Sequence, residues 1–316
     1  MIKLCNLSNL DSDLARINHD SLELENFLKA HSLDGLELLL YGEWQEKIIP
    51  RRLIKGVHLL YWPVWIDFWH LEKERLLEYF GSWPEIRSCY GSLEPEVLLD
   101  NYRQQFAAAE AMEAEYMVFH VSDADLRVIL GKKSPYSDEE IVDYSIEFLN
   151  LVLPKNSHKV KLLMENLWLG GLSFLKPHLA DKLLSKIDYP NLGFMLDTGH
   201  LMNTNPRLRT EKEAIDYIIE VINKLGDNKA YIQGMHLQKS LSGALREKMQ
   251  NKKIMSKEEE MSYFLQIDQH RPFETDEVMR LIEFMEPKHV TYEFITESKE
   301  QWSSYIQQQN RALGID

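Results

Sequence analysis

Eight short aliphatic and β-branched runs, each separated from the next by longer polar or amphipathic stretches, constrain this chain more than any other feature. The runs are Ile2–Leu7, Gly35–Tyr41, Gly56–Leu60, Tyr116–Ser122, Lys161–Leu167, Leu192–Asp197, Ile232–Leu237 and Val290–Ile295. Helical periodicity marks Leu10–Ala30, Pro95–Ala114, Ser137–Val152, Phe174–Lys186, Thr210–Leu225, Glu274–Met285 and Ser298–Ala312. Strands alternating with helices read as parallel βαβ units, because parallel strands need a crossover connection. Eight such units favour closure over an open sheet. The expected fold is therefore α/β, a single (β/α)8 TIM barrel over residues 1–316, with no linker composition to divide it.

Two connections exceed ordinary barrel loops, and unusually long loops tend to be functional. One follows strand 3, from Tyr61 to Glu94, and holds Trp62, Trp65, Trp69 and Trp83. The other follows strand 7, from Gln238 to Phe273, with a charged helical stretch at Leu245–Leu265 and then Asp268-Gln-His270. Two readings of the tryptophans stay open: a lid stacking on substrate, or a satellite apolar cluster beneath a long loop.

Polar residues ending apolar strands are the chemical signal, because an unpaired buried carboxylate or imidazole is costly. Strand 5 ends in Glu165-Asn166, strand 6 in Asp197-Thr-Gly-His200 and strand 7 in His236-Leu-Gln238, while strand 8 carries Glu293. Active sites of such barrels sit at these C-terminal strand ends. Carboxylate oxygens and imidazole nitrogens suit a divalent ion such as Zn, Mn, Co or Fe, and no cysteine competes. Strand 3 adds His58 and strand 4 adds His120. With Asp268 and His270, these bring the candidate ligands to nine: Glu165, Asp197, His200, His236, Glu293, His58, His120, Asp268 and His270. One ion needs three or four protein ligands, so nine fit a cluster of two or three, within a range of one to three ions.

The pattern resembles the xylose isomerase-like barrel superfamily, which holds sugar epimerases, inosose dehydratases and the endonuclease IV branch (AP endonuclease family 2). The resemblance runs from strand 3 to strand 8, and Asp197-Thr-Gly-His200 carries it most specifically. In the epimerases, Glu165, Asp197, His236 and Glu293 would correspond to single-metal ligands. The two glutamates would also serve as acid and base, and His200 would bind substrate. In the endonuclease IV branch, the same five residues would join His58, His120, Asp268 and His270 around three zinc ions. Glu165-Asn166 followed by Gly170-Gly171, and His58-x-x-Tyr61, are similar to that branch as well. Two places depart from the ketose epimerases: Gly171 stands where a second glutamate is expected, and Ser242 where an arginine is.

Charge narrows the partners. Asp and Glu number 50 against 36 Lys and Arg, a formal net charge of −14. Duplex nucleic acid is bound by neutralising phosphates, so it is disfavoured as a partner. A small-molecule substrate is expected instead. No apolar run approaches the ~20 residues of a membrane span. Met1 to Leu7 lacks a signal-peptide h-region, and Cys5 and Cys89 make no disulfide framework, so a cytoplasmic location is expected. Oligomeric state stays open.

The catalytic candidates are Glu165, Glu293 and His200. The substrate-binding candidates are Tyr61, Trp62, Trp65, Asn166, Gln238, Lys239 and Arg271. His19, His31, His70, His158, His178 and His289, expected on helices or loops, receive no role. The first expectation is a hydrolase that cleaves a phosphoester of a small phosphorylated sugar or nucleotide-like, even cobamide-like, molecule. The second is a single-metal isomerase or epimerase using Glu165 and Glu293. The third is a non-catalytic binding protein on a barrel scaffold.

Overall fold

The computed structural model describes residues 1–123, 125–130, 132–155, 159–249 and 256–315. Among these, eight strands close into one all-parallel barrel: β1 (Ile2–Ser8), β2 (Gly35–Leu39), β3 (Ile54–His58), β4 (Tyr116–His120), β5 (Lys161–Glu165), β6 (Leu192–Asp197), β7 (Ile232–His236) and β8 (His289–Tyr292). Each strand pairs with the next in sequence, and β8 pairs with β1, Ile2 opposite His289. Most of the apolar core lies between barrel and helices. A smaller cluster of Leu4, Tyr116, Val118, Leu163 and Met195 fills the barrel's interior.

Side chains alternate along a strand, so every second residue points inward. Gly56 shares this inward set with Tyr116, because a Cβ on Gly56 would lie 2.2 Å from the Tyr116 ring. Counting upward by twos from Gly56, Tyr116, Leu163 and Met195 reaches His58, His120, Glu165 and Asp197 at the strand ends. Register sets neighbours level: His120 is opposite Glu165, and Asp197 opposite His236. The strand period and the barrel closure thus deliver the polar residues to one layer.

Helix boundaries follow local chemistry. The expected helix Leu10–Ala30 is two helices, Asp11–Ala15 and Ser21–Ala30, because Asn18 and His19 take left-handed backbone with φ of 52°. Asp20 caps the second, its side chain accepting from the amides of Leu22 and Glu23. The long connection after β3 is not open loop, since it folds into Trp65–Trp69, Lys73–Phe80 and Trp83–Tyr90. The connection after β7 holds two helices, Gly243–Met249 and Lys257–Ile267. Residues 250–255, in the middle of the expected Leu245–Leu265 helix, lie outside the described residues, as does His158. His289, expected on a helix or loop, opens β8 instead. Among the described residues, no helix is long and apolar enough to cross a membrane.

Candidate metal centre

The nine candidate ligands at the C-terminal end of the barrel fall into three groups of donor atoms, two of which share one carboxylate, and a fourth group joins Glu37 to His58 and His236. In each group the atoms lie within 4.8 Å of one another. Oε2 of Glu165 sits 3.2 Å from Nε2 of both His58 and His120. Its other oxygen, Oε1, lies 3.1 Å from Nδ1 of His236, within a second group that adds Asp197 and Glu293. The third group gathers His200, Asp268 and His270. The Nε2 atoms of both imidazoles approach Asp268 Oδ2, at 3.3 and 3.1 Å. All nine sequence candidates are thus brought together, including the Asp268–His270 pair from the long loop. His270 holds a positive φ of 45°, an uncommon backbone for histidine and one that sites impose.

Four of the five rings are oriented by their other nitrogens, while Nδ1 of His120 is buried without a hydrogen-bond partner. Nδ1 of His58, His200 and His270 meets the carbonyl oxygens of Leu59, Asn166 and Glu293, at 2.9, 3.0 and 3.0 Å. Such a bond fixes the tautomer and leaves Nε2 free to bind an ion. His236 is turned the other way. Its Nδ1 faces the carboxylates, and its Nε2 lies 2.9 Å from Oε1 of Glu37.

Glu37 is the residue that sequence reasoning missed. It is buried in β2, and its Oε2 accepts hydrogen bonds from the hydroxyls of Tyr116 (2.6 Å) and Thr291 (3.2 Å). A lone charge among the leucines of Gly35–Leu39, at an inward-facing place, was the available signal. Glu37→Gln is expected to weaken metal binding by roughly 10–100-fold, as losing such an outer partner does. Competition with a metal indicator measures this, and an unchanged affinity would show that Glu37 does not support His236.

Asp197 shows why the Asp-Thr-Gly-His spacing matters. It caps the helix Thr198–Asn203, its Oδ1 accepting from the His200 amide (2.6 Å) and from Nε2 of Gln238 (3.0 Å). Gly199 permits this approach, since a Cβ there would lie 2.0 Å from the Gln238 amide. Oδ2 of Asp197 and Oε2 of Glu293 are buried without hydrogen-bond partners, with Nδ1 of His236 4.0 and 3.3 Å away. A buried carboxylate oxygen left unpaired is costly. Both residues belong to the four-residue group, so an N/O-liganded divalent ion fits there.

Without an ion, the groups pair as acids and bases. Burial opposes charge on Glu165, yet His120 and His236 hold it well below the usual carboxylate range. Despite burial, Asp197 and Asp268 hold His200 well above the ordinary imidazole value, and Glu37 and Glu293 do so for His236. Burial also opposes charge on His270, but Asp268 lifts it to about 9. Asp197 is different: burial pushes it up to about 7.

Several substrate-binding expectations are corrected by the geometry. Trp65 is buried, its Nε1 donating to the Ser122 carbonyl (2.7 Å), and it and Trp69 pack on Phe148 of the helix Asp138–Val152. Trp62 lies edge-on to Tyr102, 5.4 Å away. These rings therefore belong to the main core between barrel and helices, neither a satellite cluster nor a lid, and do not line the cavity over the donor groups. Asn166 is fully buried and holds Asp197 through both backbone groups, while Gln238 orients the same carboxylate. Lys239 is tied 2.7 Å from both Glu211 and Glu274, and the exposed Arg271 only bridges its backbone. Tyr61 lines the cavity, edge-on to His120 at 5.1 Å. The two departures have physical reasons: Gly171 has φ +86° and no room for a Cβ, which would meet the Val121 carbonyl at 2.3 Å. Ser242 is buried and donates to Oδ1 of Asn203 (2.7 Å).

Residues 84–306 match a family model described as a xylose isomerase-like TIM barrel. No curated protein matches the sequence. Among solved structures, an endonuclease IV from Thermus thermophilus has a TM-score of 0.58 at 14% identity, covering 99% of both chains. The apo 3-keto-D-glucoside 4-epimerase of E. coli scores 0.51 at 14%, again covering 99% of both. An IolI protein with a bound zinc atom scores 0.51 at 13%, covering 99% of this chain and 96% of its own. At these identities the likeness shows the barrel.

Proposed function

Because this chain belongs to the xylose isomerase-like TIM barrel family, we propose that it is a divalent-metal-dependent hydrolase of a phosphoester in a small molecule. One observation carries the reading: the two oxygens of Glu165 face two separate donor groups, as a carboxylate bridging neighbouring ions would. A proton-transfer enzyme with one ion has no use for His58, His120, Asp268 and His270. The likeness to an endonuclease supports the same reading, and the likeness to a barrel with a bound zinc atom supports a metal at the site.

His58, His120 and Glu165 would hold one ion; Glu165, Asp197, His236 and Glu293 a second; His200, Asp268 and His270 a third. Divalent ions in such a set supply a water of lowered pKa and offset phosphoryl charge. The chain's own part is positioning. Asn166 and Gln238 lock Asp197, backbone carbonyls aim three of the five imidazoles, and Glu37 braces His236. In the reaction a water oxygen bonds to phosphorus, the ester P–O bond breaks, and the leaving oxygen takes up a proton.

The four-residue group alone also suits a single-ion epimerase, as in the neighbour of that activity. Against this stands Gly171, whose backbone admits no side chain. Elemental analysis and two assays on the zinc- or manganese-loaded protein decide. Two or three ions per chain with phosphodiester cleavage are expected. A single ion, together with exchange of a ketose's carbon-bound proton for deuterium, would overturn the proposal.

A further inference from the structure

Above the donor groups the cavity changes character. One wall is built of Leu126, Leu167, Leu169, Met261 and Phe264 with Tyr61, from the connections after β3, β4, β5 and β7. Phe264 is backed by Trp168, whose ring stacks on it at 5.8 Å and 13°. Across the barrel, Leu39 and Tyr41 from the end of β2 and Ile295 after β8 form the facing wall. Tyr41, Met261 and Ile295 remain 41%, 47% and 50% exposed. Apolar groups left in water around a cavity mouth mark a binding surface.

The cavity encloses about 410 Å³, within the size of small-molecule sites. None of its described lining residues is a lysine or arginine, and its charged members outside the imidazoles are all carboxylates. A nucleic-acid strand carries a phosphate at every nucleotide and is held by cations. This collar offers such a strand nothing beyond the metal centre. It offers apolar surface to whatever flanks the single phosphate placed at the ions.

Resting on the phosphoesterase reading, we propose that the substrate is an isolated phosphodiester whose uncleaved ester carries an uncharged aromatic arm, which lies between the two apolar walls while the phosphate meets the donor groups. Facing aromatic and aliphatic walls favour a flat apolar group, because ring faces bury large area at little cost in freedom. The polar corner of Asn6 and Ser8 does not compete. Ser8 donates to Asp13 at 2.6 Å, and Asn6 is bonded to the backbone of Phe294.

The test uses the full chain loaded with zinc and two diesters sharing one leaving group, bis(4-nitrophenyl) phosphate and methyl 4-nitrophenyl phosphate. The aromatic diester is expected to have kcat/KM about tenfold higher, the worth of one buried ring contact. Phe264→Ala is expected to shrink that ratio to within about threefold of unity, mainly through KM. Equal rates, or a ratio untouched by Phe264→Ala, would overturn the collar proposal while leaving the hydrolase reading standing. Cleavage of neither diester would count against the hydrolase reading instead. In that case, calorimetry with phenylphosphonate and methylphosphonate on the loaded protein decides the collar: about tenfold tighter binding of the phenyl compound upholds it, and equal binding overturns it.

Discussion

Glu165→Gln is expected to lower phosphodiester turnover roughly a thousandfold and to remove at least one bound ion, with the barrel still folded. The glutamate faces two donor groups, so its loss weakens two ion sites at once. Each ion contributes several kcal/mol of charge stabilisation, and ~1.4 kcal/mol is a tenfold change in rate. Glutamine keeps the volume, so the surrounding core need not collapse. Metal content by elemental analysis, turnover and far-UV circular dichroism measured on one preparation separate the effects. Turnover within about tenfold of the parent would show that Glu165 is not the shared ligand.

Chelation is expected to invert how stability depends on pH. In the metal-free protein, His200, His236 and His270 have pKa values raised above the unfolded imidazole, His270 to about 9. Their contribution is fully present below an unfolded pKa of ~6.5 and is lost as pH rises towards 9. Asp197, raised to about 7, acts in the same direction, because ionising it in the folded state becomes costly between the unfolded ~3.8 and 7. Asp268, held low, adds stability above pH ~4 and loses it only in acid. Asp268 sets the acid edge near pH ~4 and the imidazoles the upper edge near ~6.5, while Asp197 tilts the interval, so the chelated protein is most stable towards its acid end. The loaded protein needs neutral imidazoles, so its ions bind more tightly as pH rises. The gap in Tm between zinc-loaded and chelated protein should widen by roughly 5–10 °C from about pH 5.5 to about 8.5. A gap that narrows with pH would contradict the pairing described for the metal-free protein.

The barrel was legible in sequence because its periods are physical: eight buried runs with helices between them can close in few ways. The strand-end ligands were legible for a related reason, since His120, Glu165, Asp197 and His236 are expensive intrusions into apolar strands. Asp268 and His270 were seen as a pair, although their register in a long loop is fixed by tertiary bonds: the Lys239–Arg271 backbone bridge, the Gln269 amide on Ser240 and Nδ1 of His270 on the Glu293 carbonyl. Glu37 escaped because one charge between leucines reads as an ordinary exposed strand residue until the inward face is known. The tryptophans misled for the opposite reason. An indole's apolarity says that it will be buried, but not against which neighbour, and the short helix Trp65–Trp69 turns two of them onto Phe148. Lys239 read as a substrate contact because nothing in the sequence shows that Glu211 and Glu274 hold it.

The order of the three donor groups along the chain bears on how the protein comes to be made. The His58–His120–Glu165 trio is present once residue 165 has left the ribosome, and the His200–Asp268–His270 trio once residue 270 has. The group of four waits for Glu293, immediately beyond the strand that seals the barrel against β1. Sealing and the arrival of the last carboxylate are therefore a single event. A nascent chain halted before it can offer cations these two trios and the Glu37–His58–His236 group, but not the centre of four that completes the set.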